Sequence, residues 1–234
     1  MTAIVLQARI DSSRLPGKAL LLLDGEPLIF RVMEALNHVK AGVRILACTE
    51  DSFYEFEPLA KKAGFQIYAG PKDDVLERYC QVIRKFRITR VIRATGDNPF
   101  VFADASDAIN NEASSLNADY AGFLNLPYGA GVESAAASAL LRAADEASQT
   151  SEREHVCPYL YNNPGIFKLH RPPAPSQWHH PQLRITVDTR EDYDRALALY
   201  SALKNENNRY NGSVIISAYN RIFKPENDSS NGEN

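Results

Sequence analysis

The sequence predicts an α/β fold: a single-domain three-layer sandwich over residues 1–222, with a mainly parallel sheet between helices. Three observations predict it. Four short apolar runs of strand length alternate with longer segments whose apolar residues recur at helical spacing. The crossovers between those runs are brief, which favours parallel neighbours in one sheet. No internal repeat and no linker divides the chain.

The first run, Ile4-Val-Leu6, is continuous and apolar, as expected of a strand covered on both faces. A polar loop over residues 7–18 follows. A helix is expected from Pro27, because Leu28, Ile29, Val32, Leu36 and Val39 fall on one face and proline suits the first turn. Val43-Arg-Ile-Leu-Ala-Cys48 reads as the second strand. Residues 55–63 read as a short helix that Gly64 closes. Gln66-Ile-Tyr-Ala69 is the third strand. The clearest helix covers residues 73–86: Val75, Leu76, Tyr79, Val82, Ile83 and Phe86 share a face, and Asp73 and Asp74 favour its N-terminus. Arg90-Val-Ile-Arg-Ala94 is the fourth strand, stopped by Gly96 and Pro99. Beyond it, residues 118–123 and 184–187 are strand candidates, and residues 138–147 and 190–203 are helix candidates. Residues 223–234 read as a disordered tail, rich in Asn, Ser, Gly and Glu.

Composition excludes several classes. Lys and Arg number 26 against 29 Asp and Glu, a net charge of −3. No general attraction to nucleic acid or to an anionic membrane is expected, so polyanion binding needs a local cluster of cations. Cys48, Cys80 and Cys157 are odd in number and lack CxxC spacing, which suggests free thiols rather than a disulfide framework or zinc site. The opening residues lack the pattern of a signal peptide, and no apolar stretch is long enough to span a bilayer. A cytoplasmic location is expected.

Ligands of open parallel sheets bind at the C-terminal ends of the strands. That rule directs attention to residues after Gln7, Gly70, Thr95 and Val187. The loop after the first strand reads Gln7-Ala-Arg-Ile-Asp-Ser-Ser-Arg-Leu-Pro-Gly-Lys18. Arg9, Arg14 and Lys18 can neutralise a polyphosphate, with Ser12 and Ser13 as hydroxyl donors. Neither a P-loop nor a GxGxxG fingerprint is present. Asp97 and Asp188 each follow a predicted strand on the same side of the sheet, where two carboxylates can share a hard divalent cation. Each also has a plain structural account as a turn residue.

The loop resembles the opening signature of cytidylyltransferases, and is closest to the spore-coat polysaccharide biosynthesis branch. Synthetases of CMP-ketodeoxyoctulosonate and CMP-sialic acid are more distant relatives. The likeness continues through Gly25-x-Pro27-Leu28, Gly70-Pro-Lys-Asp-Asp-Val-Leu-Glu-Arg-Tyr79, Arg93-Ala-Thr-Gly-Asp-Asn-Pro99, Arg153-Glu-His-Val156 and Leu183-Arg-Ile-Thr-Val-Asp-Thr-x-Glu-Asp192. It covers roughly residues 3–203.

The resemblance implies a nucleotide-diphospho-sugar transferase-like fold and transfer of CMP from CTP to a small acceptor. The acceptor would be a sugar, a sugar acid or a small phosphorylated metabolite for surface polysaccharide or glycoconjugate synthesis, and pyrophosphate would be released. It implies Mg²⁺ on Asp97 and Asp188, with Mn²⁺ as the alternative ion. Arg14, Lys18, Asp97 and Asp188 carry the catalysis in this reading. Gln7, Ala8, Arg9, Ser13, Arg14, Lys18, Gly70, Asp73, Asp74, Arg78, Thr95 and Gly96 hold the nucleotide. Asn125, Glu133, Arg153, His155 and Arg184 meet the acceptor. Similar proteins form homodimers and often carry G-x-D-x-E, where this chain has Gly129-Ala-Gly-Val-Glu133, with Gly131 in the place of the aspartate. A glycosyltransferase that binds a finished nucleotide sugar, and a catalytically inactive nucleotide-binding relative, are the alternatives. A glycosyltransferase usually needs a DxD motif just after a strand, which Asp104-Ala-Ser-Asp107 and Asp97-Asn-Pro do not match, and the retention of Lys18, Asp97 and Asp188 argues against the second.

Overall fold

A computed structural model describes residues 1–223. In chain order its first half runs β1 (Thr2–Gln7), β2 (Leu22–Leu23), β3 (Glu26–Pro27), α1 (Leu28–Leu36), β4 (Val43–Thr49), α2 (Phe53–Ala63), β5 (Gln66–Gly70), α3 (Val75–Phe86) and β6 (Arg90–Thr95). The second half runs α4 (Ala103–Ser115), β7 (Tyr120–Ala121), β8 (Glu133–Ala136), α5 (Ala137–Glu146), α6 (Thr150–His155), α7 (Pro158–Asn162), β9 (Leu169–His170), α8 (Arg190–Leu203) and α9 (Gly212–Phe223).

The main sheet has the order β5-β4-β1-β6-β8-β7-β9. The four expected strands form its parallel half, with Val5 beside both Ile45 and Arg93. β8 then runs antiparallel to β6. The chain winds outward from β1 through β4 to β5, then returns to place β6 on the other side of β1. This reversal opens a crevice at the C-terminal ends of β1 and β6, where the site lies.

Side-chain alternation explains the three layers. Ala3, Val5, Ile45, Ala47 and Val91 face one apolar cluster, which α3 and α5 complete through Leu76, Tyr79, Val82 and Leu140. Ile4, Leu6, Leu46, Cys48, Ile92 and Ala94 face the other, with Ile29, Val32 and Leu36 of α1, Phe56 of α2 and Ile109 of α4. A third cluster joins α8 and α9 to Phe100, Phe102, Trp178 and Val187. Tyr79 is fully buried, and its hydroxyl donates to the Val5 carbonyl at 2.9 Å, which pins α3 to the central strand.

Several expectations need correction. Residues 184–187 do not form a strand: Arg184 makes one isolated bridge with Tyr128. Only Tyr120–Ala121 of residues 118–123 is extended. The helix expected over 73–86 starts at Val75, because Asp74 is its N-cap and accepts from the Glu77 amide at 2.9 Å. The sequence does not announce β2, β3, β8, β9, α4, α6, α7 or α9. Glu-Ser-Ala-Ala in β8 has no β-branched signal, and burial among its neighbours overrides propensity. The expected tail lies outside the described residues except for Phe223, which ends α9. Among the described residues, no helix is long and apolar enough to cross a membrane.

Candidate active site

The loop after β1 folds back over the sheet instead of extending into solvent. The Gly96 amide donates to the Gln7 carbonyl at 2.9 Å, the Ala8 amide to the Ala47 carbonyl at 3.2 Å, and the Ile10 amide to Ser52 Oγ at 3.0 Å. Gly17 has φ +65° and turns the chain into a short 3₁₀ turn (Lys18–Leu20) that aims Lys18 inward.

A separate tie brings the acids together. The Val187 amide donates to the Asp97 carbonyl at 2.9 Å, and Thr186 Oγ1 reaches the same oxygen at 3.3 Å. Lys18 Nζ sits between the two carboxylates: 3.2 Å from Asp97 Oδ2, 2.9 Å from Asp188 Oδ1 and 2.9 Å from the Val187 carbonyl. Arg14 Nη2 lies 3.1 Å from Asp188 Oδ1. Arg184 Nη2 donates to Asp188 Oδ2 at 2.8 Å. Arg184 is itself held by Asp192 through Nε and Nη2, each at 2.9 Å, and stacks 4.8 Å from the Tyr128 ring centroid.

These contacts set the charge states. Burial alone raises the Asp188 carboxyl, but Lys18, Arg14 and Arg184 outweigh it and hold it below the usual carboxylate range. Burial also opposes Asp192, yet Arg184 and the Asp188 and Thr189 amides hold it at about 2. Both are therefore anionic near neutral pH.

The surrounding cleft has a volume of about 690 Å³. Of the residues expected at the site, Gln7, Ala8, Arg9, Ser13, Arg14, Lys18, Asp73, Arg78, Thr95, Gly96, Asp97, His155 and Asp188 line it. Gly70, Asp74, Asn125, Glu133, Arg153 and Arg184 do not. Arg153 bonds Asp74 Oδ2 at 2.8 Å and the Ala144 and Ala147 carbonyls, fastening α6 to the start of α3. A Cβ at Gly70 would lie 2.9 Å from Arg78 Cγ, so its close approach is to its own chain. Arg78 is buried and donates to the Pro71 and Lys72 carbonyls, shaping the loop beneath the cleft. Glu133 pairs with Arg93 and accepts from Tyr120 at 2.7 Å.

The sequence reading missed Arg93, Lys72, Thr150 and Asn98 as lining residues. Arg93 had a visible signal, a cation inside an apolar strand. It is backed by Glu133, and its Nε donates to Gln7 Oε1 at 3.1 Å. Gly129 has φ +98°, and a Cβ there would lie 2.7 Å from the Thr186 amide nitrogen. Only glycine fits where these two segments meet.

Comparison with known proteins identifies the family. The family model described as cytidylyltransferase matches residues 3–226. The chain belongs to the cytidylyltransferase family. It is 32% identical over 224 residues to the spore coat polysaccharide biosynthesis protein SpsF of Bacillus subtilis (strain 168), covering 93% of each chain. A 3-deoxy-manno-octulosonate cytidylyltransferase of Anaeromyxobacter sp. (strain K) is 31% identical over 109 residues, 46% of this chain and 45% of that one. The structure of a cytidylyltransferase from Leptospira borgpetersenii superposes with a TM-score of 0.84 at 25% identity, covering 94% of both chains. The chain is thus a nucleotidyltransferase-family protein related to proteins of polysaccharide-precursor synthesis, and its β1 loop and acid pair occupy a single cleft.

Proposed function

We propose that the protein transfers CMP from CTP to a small sugar, sugar acid or phosphorylated acceptor and releases pyrophosphate. The observation that carries this reading is Lys18, which bonds Asp97 and Asp188 at once in the cleft that Arg9 and Arg14 also line. Phosphate-neutralising cations and a pair of anionic oxygens are thereby within one ligand's length. Family membership supports the choice of cytidine.

The donor set suits a divalent cation. Mg²⁺ usually takes one or two carboxylates, completing its shell with water and substrate phosphates. Asp97 and Asp188 are such a pair, and the Lys18 ammonium already rests among their oxygens. Mg²⁺ is the expected ion and Mn²⁺ the alternative. When bound, the ion supplies charge neutralisation at the α-phosphate.

Arg9 and Arg14 line the cleft, have about half or more of their side-chain surface exposed, and can turn from Asp11 and Asp188 to hold the β- and γ-phosphates. Lys18 joins them as the phosphates enter, and Ser13 offers a hydroxyl. The nucleoside lies toward Asp73 and the loop that Arg78 shapes. The acceptor lies toward Arg93, Tyr128, His155 and Thr186, which line the same cleft. An acceptor oxygen attacks the α-phosphorus in line, and the pyrophosphate leaves into the cationic loop. Positioning and charge stabilisation provide the catalysis.

The test is pyrophosphate release with each of the four nucleoside triphosphates, against a panel of sugars, sugar acids and phosphorylated metabolites. CTP should be preferred. Asp97→Asn and Asp188→Asn should each lower turnover about 100-fold or more while the protein stays folded. Turnover within about twofold of wild type in either variant would remove the acid pair from the mechanism. Sugar transfer without pyrophosphate release would instead favour a glycosyltransferase.

A further inference from the structure

We infer that Lys18 is a built-in counter-ion that keeps a divalent cation off Asp97 and Asp188 until a polyphosphate draws the lysine away. The inference rests on the reading of this pair as the metal-binding end of the cleft, and concerns how that end is regulated.

An ammonium has three N–H donors and no acceptor. Lys18 spends all three on oxygens: Asp97 Oδ2, Asp188 Oδ1 and the Val187 carbonyl. Its side chain is only 16% exposed, and that of Asp188 only 9%. The lysine therefore holds the inner edges of both carboxylates, in the place a cation shared by them must take. The two other cations on Asp188 differ. Arg14 touches the same oxygen as Lys18 but is 64% exposed and, among the described residues, reaches no second carboxylate. Arg184 sits on the far oxygen, Oδ2, and is anchored by Asp192 and Tyr128. Lys18 alone of the three bridges the pair.

A divalent ion that approaches the free protein meets a positive charge at hydrogen-bond range from both ligands. In a partly buried site that repulsion is weakly screened. A polyphosphate in the same cleft offers Lys18 new oxygens a short swing away. Once the ammonium turns to them, the carboxylates have lone pairs free for a cation. Metal and polyphosphate then enter as a coupled pair, with each raising affinity for the other. A cation without its nucleotide gains little hold.

The test measures Mn²⁺ binding by electron paramagnetic resonance with no nucleotide and no acceptor present. Wild type should bind weakly. Lys18→Met, which keeps the length of the side chain, should bind about tenfold tighter or more. Lys18→Arg retains the charge and should stay within about threefold of wild type. Adding Asp188→Asn to Lys18→Met should return binding to the wild-type level, which locates the gained ion. Thermal unfolding of each variant with and without Mn²⁺ checks that the fold is intact. Equal or weaker Mn²⁺ binding by Lys18→Met overturns the inference, as does a gain that Asp188→Asn leaves in place. Wild-type pyrophosphate release reports on the proposed reaction separately, so either idea can fail without the other.

Discussion

Asp192 offers a quantitative handle on how the acid pair is held. Its side chain is 4% exposed and accepts from five donors: Arg184 Nε and Nη2 at 2.9 Å each, Arg195 Nη1 at 3.0 Å, the Asp188 amide at 3.1 Å and the Thr189 amide at 3.2 Å. Folding lowers its pKa from 3.8 to about 2. At about 1.36 kcal/mol per unit, this corresponds to about 2 kcal/mol of stability. Because the folded carboxyl has the lower pKa, acid protonates the unfolded chain first. The contribution is complete above about pH 4 and is lost as pH falls from there toward about 2. Asp192→Asn removes the charge and turns an NH₂ toward groups that are themselves donors. The expected loss near pH 7 is about 2–4 kcal/mol, or about 5–12 °C in Tm for a chain of this size. Urea unfolding followed by circular dichroism, near pH 7 and near pH 3, measures both effects. The variant should also lose less stability than wild type between the two pH values. A change below about 0.5 kcal/mol near pH 7, or an unaltered pH response, would refute this account of Asp192.

Two further substitutions probe the supports of the cleft. Gly129→Ala forces a Cβ to 2.7 Å from the Thr186 amide at φ +98°, and should cost about 2–3 kcal/mol and lower turnover by displacing the segment that carries Asp188. A Tm within about 1 °C of wild type would mean that the two segments part easily. Glu133→Gln leaves the half-buried Arg93 guanidinium without its anion, and Tyr120 with a weaker acceptor. It should cost about 2–4 kcal/mol in urea unfolding, and an unchanged midpoint would show that Arg93 does not need Glu133.

The parallel half of the sheet was legible because its signal is local. The runs at Ile4, Val43, Gln66 and Arg90 are apolar and strand-length, and all four lie where expected. The helical stripe from Val75 to Phe86, the helix start at Pro27 and the glycine stop at Gly64 were equally readable. The second half was harder to read. β8 is made of small and polar residues whose extended state comes from pairing with β6 and β7. Residues 184–187 look like a strand because Ile185 and Val187 are apolar, but their burial serves the third cluster and not a ladder.

At the site, the chain's own order established which chemistry is present: three cations after the first strand, and two aspartates each following an apolar run. Tertiary structure alone decided that these groups meet. Lys18 and Asp188 are 170 residues apart, and they touch because backbone bonds join residue 97 to residue 187 and glycine at 129 lets a third segment close in. The same folding withdrew Arg153 and Arg184 from the cleft into supporting ion pairs with Asp74 and Asp192, and the buried Asp192 must find its donors nearby. Residue type and spacing report what a side chain can do. Its partner depends on contacts between segments distant in sequence, which no local pattern encodes.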